Sequence, residues 1–412
     1  MESRKMETLL GLTRRLRSKL LSMFLSSRPT KAASPLPPPE ETQPSDQQGL
    51  CGEALTLATQ LHGQTFHLPD LWKIFADWPM AASPHAERLE ILVNEMLERI
   101  TTDERKLKAL KRADFARLLS LWYPDSEWDE LVIATAYSVW IFVWDDEVDA
   151  GDTEVSTDEE LARAYYQKSL DVIRNLLGLV PGNEEGALDL SGSLVLRSNM
   201  DLFVDVGSGM RPTTDKLQRE RFYRELENFM INVGVEHSLR MRGAIPTVAR
   251  YLEIRSGSVG CAPQIAITDS MLKIRLPESI MDCAAMKELW KETVLICLIL
   301  NDIYSVQKEI AQGSLFNLVP VMYKNCSPET QNLDTVTRQI EETLRGSMRG
   351  FETAAAALDA ETAGDAKVNE DARRFVRWCR YFTTGVLQWS LESQRYGMAK
   401  CVREDGSLEI VL

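Results

Sequence analysis

Histidine is scarce in this chain: four residues in 412, His62, His67, His85 and His237, with none in the HExxH spacing of a helical zinc site. The seven cysteines, Cys51, Cys261, Cys283, Cys297, Cys326, Cys379 and Cys401, are scattered and odd in number, with no CxxC pair. Neither a zinc site nor a disulfide framework is suggested, and a reducing compartment, the cytoplasm, is the expected location. Long apolar runs are missing too. Val294–Leu300 is the nearest case, far below the ~20 residues that span a bilayer, so no transmembrane segment is expected. Positive charge is in deficit, at a formal net charge of −14, and a chain without a basic face is not built to bind nucleic acid. The acidity does not exclude a small phosphate-bearing ligand, because bound metal ions invert the field of an acidic site. Alternating apolar–polar runs are rare, and no Asn-Gly or Asp-Gly turn joins two of them, so no sheet is expected.

What is present is length and apolar content. A chain of 412 residues at 44% hydrophobic can bury a large core, as one big domain or two ordinary ones. Its N-terminal stretch stands apart. Arg4, Lys5, Arg14, Arg15, Arg17, Lys19, Arg28 and Lys31 oppose only Glu2 and Glu7, with Leu9, Leu10, Leu16, Leu20, Leu21 and Phe24 as apolar partners. Such a stretch reads as a disordered leader with helical tendency; an organelle presequence or a membrane-surface helix stays open. Pro35, Pro37, Pro38, Pro39 and Pro44 then make a stiff linker. The expected organisation is a leader and linker over 1–50 and one folded domain over 51–412.

From Glu53 onward the pattern is helical almost throughout. Leu131 to Phe142 is apolar nearly all round, as in a helix inside a large bundle, and Tyr123-Pro124-Asp125 separates it from Leu118, Leu119 and Trp122. Further helices are expected over Asp158–Leu177, Lys216–Arg242, Val248–Ile274, Lys287–Gln312, Thr335–Asp359 and Asn369–Tyr396. There is no internal repeat. The fold class is all-α, a single bundle of many helices.

Two acidic segments carry the chemistry. Asp145, Asp146, Glu147 and Asp149 follow the buried helix, with Asp145 and Asp149 on one face and Asp146 turned off by about 100°. Helix C-termini disfavour anions, so acids gathered there need compensation, and carboxylates one turn apart suit a hard cation such as Mg²⁺. Asn301, Ser305 and Glu309 recur every fourth residue, an amide, a hydroxyl and a carboxylate on one stripe, with Lys308 near the same face. On their own these are equally readable as solvated helix faces. Arg255-Ser256-Gly257-Ser258-Val259-Gly260 breaks an otherwise helical stretch with two glycines. Tyr137, Ile141 and Phe142 lie on the helix that leads down from the first acidic segment.

Together these residues resemble the class I terpene synthases, most closely the fungal sesquiterpene cyclases, over residues 60 to 400 or so. Asp145–Asp149 is similar to the family's aspartate-rich motif and Asn301/Ser305/Glu309 to its Asn-x-x-x-Ser-x-x-x-Glu motif. Arg255, 46 positions before Asn301, stands where the family keeps a diphosphate-sensing arginine. Arg395-Tyr396 matches its C-terminal Arg-Tyr pair, and Trp389 an aromatic that faces the cation. The resemblance implies a bundle around a central apolar pocket and three Mg²⁺ ions, with Asp145, Asp149, Asn301, Ser305 and Glu309 as metal ligands. It implies Arg255, Lys308, Arg395 and Tyr396 on the diphosphate, and Phe142 and Trp389 facing the cation. The implied reaction is ionisation of farnesyl diphosphate and cyclisation to a sesquiterpene hydrocarbon or alcohol, by a monomer or homodimer; geranylgeranyl diphosphate is the alternative substrate. Ser258 and Val259 depart from the bacterial pattern of Asp and Gly, which leaves the triggering step open. A chain-elongating prenyltransferase would need a second aspartate-rich motif where Asn301–Glu309 stands. A non-catalytic metal-binding helical protein would have no need of Arg255, Lys308, Arg395 and Tyr396 together.

Overall fold

The computed structural model describes residues 52–149, 153–186 and 194–412, the side chains of Asp149 and of 194–199 excepted. The leader and linker expected over 1–50 lie outside the described residues, as does Cys51.

As the periodicity predicts, the chain folds as an all-α bundle. Its first half holds α1 (Gly52–Leu61), α2 (Ala86–Ile100), α3 (Glu104–Arg112), α4 (Phe115–Trp122) and α5 (Trp128–Asp149). Then come α6 (Glu159–Leu176), α7 (Leu194–Thr213), α8 (Lys216–Met241), α9 (Val248–Ser258) and α10 (Cys261–Ala266). The second half adds α11 (Ala284–Ala311), α12 (Leu318–Asn325), α13 (Leu333–Thr362) and α14 (Ala366–Glu392). Helix α11 lies along α13 and α14, α5 along α7, and α8 against α6, α9 and α10. Helices α5 and α11 carry much of the core: Leu131, Ala134, Tyr137, Val139 and Trp140 on one, Ile296 and Leu298 to Leu300 on the other, are sealed from solvent. Each such side chain contributes about 1.5–3 kcal/mol of burial. Among the described residues, no helix is long and apolar enough to cross a membrane.

Local chemistry sets the helix ends. Asp114 caps α4 through Arg117 N, and Asp215 and Gln218 form a reciprocal capping box at the start of α8. The stretch Val248–Ile274 is divided at the expected glycine-bearing break, and the two glycines divide the labour. Gly260, at φ 74°, supplies the left-handed residue that ends α9 and starts α10. Gly257 stays helical; a Cβ there would come within 2.2 Å of Asn232 Nδ2, so its role is close packing of α9 on α8.

Two further expectations are corrected. Helix α14 stops at Glu392, where Ser393 turns extended, so Arg395 and Tyr396 leave the helix on a turn rather than closing it. A small antiparallel sheet is also present: β1 (Thr65–Leu68) pairs with β2 (Leu408–Val411), Thr65 opposite Val411 and Leu68 opposite Leu408. It is led by an Asp405-Gly406 turn, where Arg403 N donates to Ser407 O. Gln307 Nε2 of α11 donates to Val411 O at 2.8 Å, tying this strand to the helix that bears the second acidic segment.

Candidate active site

The end of α5 is the first half of the site. Asp146 follows Phe142 and Ser138 at four-residue steps, one stripe of the helix. Its carboxylate takes a two-pronged grip from Arg395, at 2.8 Å from Nη2 and 3.2 Å from Nη1. Burial pushes the Asp146 carboxyl up; Arg395, Lys308 and Lys106 together outweigh that and hold it below the ordinary range. Asp145 is half-buried beside it, and the side chain of Asp149 lies outside the described residues. The clustered acids oppose the helix dipole, and cations answer them. Lys106 reaches Glu147 at 3.1 Å, and Arg240 Nη2 donates to Val148 O at 2.9 Å.

Aromatic rings line the approach. The Arg395 guanidinium carbon sits 5.2 Å from the centre of Phe142. Phe142 lies 5.7 Å from Trp389, whose ring is 5.5 Å from Tyr396. The Trp389 indole N–H donates to Ala113 O at 2.7 Å, which fixes the plane of the ring. Tyr137, by contrast, packs edge-to-face on Phe222 at 5.0 Å, deeper in the core.

Helix α11 supplies the second half, and its centre is a residue the stripe did not include. Asp302, fully buried, accepts from Arg255 Nε at 3.1 Å, from Leu318 N at 3.1 Å and from the Tyr251 hydroxyl. Burial raises its carboxyl despite Arg255 and Tyr251, which pull the other way. Arg255 also donates from Nη2 to Asn301 Oδ1 at 2.7 Å and lies 3.7 Å from Glu236. Burial works against the Arg255 charge, but Asp302 and Glu236 more than restore it. Glu236 in turn accepts from Ser258 Oγ at 2.6 Å, so the serine at the departed position is bonded to the same cluster. Asn301 Nδ2 donates to Tyr396 Oη at 3.1 Å, joining the α11 stripe to the turn after α14.

Ser305 and Glu309 meet at Asn317, the cap of α12, whose Nδ2 lies 3.4 Å from Ser305 Oγ and 2.9 Å from Glu309 Oε2. Burial raises the Glu309 carboxyl, with Asp302 adding to the rise and Arg255 opposing it. The two acidic segments thus face one another: Lys308 of α11 acts on Asp146 of α5, and Tyr396 contacts Asn301 while its neighbour Arg395 holds Asp146.

Sequence reasoning missed Asp302, Glu236, Asn317 and Tyr251. Asp302 was detectable: an acid inside an apolar helical run must be paired when buried. Asn317 carried an N-cap signature ahead of Leu318-Val319-Pro320. Glu236 had no local mark.

The donor chemistry fits a divalent cation. Among the described residues, no three His, Cys, Asp or Glu side chains form a metal-holding group by themselves. Here amide and hydroxyl oxygens stand beside the carboxylates, and oxygen of all three kinds is what a hard cation takes. A separate cleft of about 330 Å³, lined by Asp215, Gln218, Arg221, Arg275 and Glu278, lies at the other end of α8. That is roughly 30 Å along the helix from Glu236. Its charges are paired locally, Arg221 with Asp269 and Glu278 and Arg275 with Asp215, and it shares nothing with the site.

Residues 136–346 match the family described as "Terpene synthase family 2, C-terminal metal binding", a span that includes both acidic segments and Arg255. The sesquiterpene cyclase hepA of Aspergillus oryzae is 26% identical over 359 residues, 86% of this chain and 96% of that protein. The terpene cyclase braA of Annulohypoxylon truncatum is 26% identical, over 81% of this chain and 86% of its own. Among solved structures, a linalool/nerolidol synthase from Streptomyces clavuligerus superposes with a TM-score of 0.65 at 16% identity. The match covers 76% of this chain and 98% of that one, and it speaks for the fold.

Proposed function

This chain belongs to the terpene synthase family, and from that premise we propose that it is a Mg²⁺-dependent cyclase that ionises farnesyl diphosphate and closes the carbocation to a sesquiterpene. It is a class I terpene synthase, a carbon–oxygen lyase. The observation that carries the substrate class is the meeting of Arg255, Lys308, Arg395 and Tyr396 with two oxygen-rich helix segments at one mouth. We assign the catalytic domain to 51–412.

Asp145 and Asp149 on α5, and Asn301, Ser305 and Glu309 on α11, would hold the Mg²⁺, three ions by the family resemblance. When bound, the metal neutralises charge that builds on the departing diphosphate. The chain's own residues do the rest. Arg255, oriented by Asp302, Asn301 and Glu236, sets a fixed positive charge beside the diphosphate. Arg395 keeps Nε buried and without a hydrogen-bond partner, a donor left over for an anion. Lys308 adds a point charge and Tyr396 a hydroxyl. Once the allylic C–O bond breaks, the faces of Phe142 and Trp389 meet the cation, an attraction worth about 2 kcal/mol when desolvated. The apolar walls of α5 and α11 keep water from the mouth away from it.

Farnesyl chain length is supported by the hepA relative, a sesquiterpene cyclase. The test is direct. Purified protein with Mg²⁺ is given geranyl, farnesyl and geranylgeranyl diphosphate separately, and the extracts are resolved by gas chromatography–mass spectrometry. A cyclised C15 product is expected from farnesyl diphosphate. Cyclised product from geranylgeranyl diphosphate alone would reassign the substrate, and none from any of the three, with folded protein, would overturn the reading.

A further inference from the structure

One turn below Phe142 and Ile141 on α5, the lining of the bundle turns polar in a way that diphosphate ionisation leaves unused. Tyr137 and Ser138 stand there, both fully buried. Ser138 Oγ donates to Gln264 Oε1 at 3.2 Å, and Gln264 Nε2 donates to Tyr123 Oη at 2.5 Å. Gln264 lies on α10, just past the Gly260 break, and Ile141 reaches that break from α5: a Cβ on Gly260 would sit 3.2 Å from Ile141 Cδ1.

Tyr137 differs from these three linked side chains. Its hydroxyl is completely buried and has no hydrogen-bond partner among the described residues. Leaving such a group unsatisfied costs about 1–3 kcal/mol, so a native core keeps one where something else completes it. Burial first, then Tyr123 and Cys261 beside it, push the Tyr137 phenol well above its ordinary range. Burial does the same to Tyr123. Both remain neutral hydroxyls and not phenolates, which a carbocation would alkylate.

We propose that Tyr137 Oη and the nearby Tyr123–Gln264–Ser138 chain hold a water molecule inside the bundle one turn below Phe142, and that this water captures the terminal carbocation, making the product an alcohol. The proposal rests on the cyclase reading above and extends it from substrate to product class. Phenolic hydroxyls and an amide give a buried water the two to four polar partners it needs. In the step, a lone pair of the water forms the new C–O bond and one O–H bond of the resulting oxonium breaks. Its proton is taken up by the diphosphate released in the ionisation, the base that the reaction itself supplies. Nothing is oxidised or reduced. Without the water, the same cation sheds a carbon-bound proton and leaves as a hydrocarbon.

The experiment uses the full chain with Mg²⁺ and farnesyl diphosphate in water enriched with heavy oxygen, measuring released diphosphate and the products together. An alcohol carrying the heavy isotope is expected. Tyr137→Phe, which keeps the ring on Phe222, and Ser138→Ala, which frees the Gln264 amide, are each expected to lower the oxygenated share of product by about tenfold. That share is a ratio and does not depend on turnover rate. Diphosphate release with hydrocarbon alone from the wild type, or an unchanged alcohol share in Tyr137→Phe, would overturn the water site and leave the cyclase intact. No diphosphate release from any prenyl substrate would instead remove the cyclase reading, and this proposal with it.

Discussion

The two sides of the mouth are built to different rules. On the α11 side, Asp302 is sealed from solvent and gathers Arg255, Tyr251 and the Leu318 amide, so that side is set by the core. On the α5 side, Asp146 is about a third exposed and depends on Arg395, which arrives on a turn beyond the end of α14. One side is rigid because its central charge cannot leave its partners without being stranded in the core. The other is held by a pair that water and a ligand can reach. The difference suggests a fixed shelf that positions the diphosphate and a movable arm that responds to it.

The strongest way to break this contrast is Asp302→Ala against Asp146→Ala in chemical denaturation. Stranding a buried Arg255 is expected to cost about 3–5 kcal/mol. The partly exposed Asp146–Arg395 pair is expected to cost less, about 1–3 kcal/mol. Equal losses would erase the distinction between shelf and arm.

Activity sharpens it next. Asn301→Ala and Asp145→Ala are each expected to reduce turnover by at least about 10²-fold with the helical circular dichroism unchanged. Full turnover in either would remove that residue from the proposed metal site. Arg395→Lys keeps the charge but loses the fork on Asp146, and a KM raised by about tenfold with intact folding is expected. An unchanged KM would mean that the arm needs only a charge.

The pH response separates the two sides by sign. The Asp146 carboxyl lies below its ordinary value, so the pair adds stability that is complete above that value and is lost as pH falls through the lowered one. The Asp302 carboxyl is raised, so its ionisation subtracts stability as pH rises through the window between its ordinary and raised values. Thermal melts below about pH 4 should therefore fall less steeply in Asp146→Asn than in the wild type. Parallel curves would exclude the pair as a source of acid sensitivity. The smallest effect belongs to Glu147→Gln, which keeps the shape of a nearly buried side chain and gives up its ion pair with the exposed Lys106, with a stability change expected at about 1 kcal/mol or less.

Much of this was legible in the sequence, and the gaps have physical causes. The bundle was readable because α5 and α11 are apolar on nearly every face, a pattern that only a large core accepts. Both oxygen-rich segments were readable because each interrupts such a helix. Asp302 escaped that reading, because helical spacing finds stripes and it sits about 100° round from Asn301; its place in an apolar run was the mark that could have found it. The sheet was missed because its strands lie at opposite ends of the fold's sequence; Asp405-Gly406 followed by Leu408, Ile410 and Leu412 carried its local half. The departure of Arg395 and Tyr396 from α14 left no mark at all, since Ser393 and Gln394 continue a helix as readily as they end one.

The left-handed turn at Gly260 has a consequence for how such an enzyme can diverge. It uncouples the rotational phase of α10 from that of α9. A change of length at this turn would re-aim Cys261 and Gln264 while Arg255 stayed against Asp302. Lineages could therefore try new linings under an unaltered mouth, acquiring new products without first losing the ability to start the reaction.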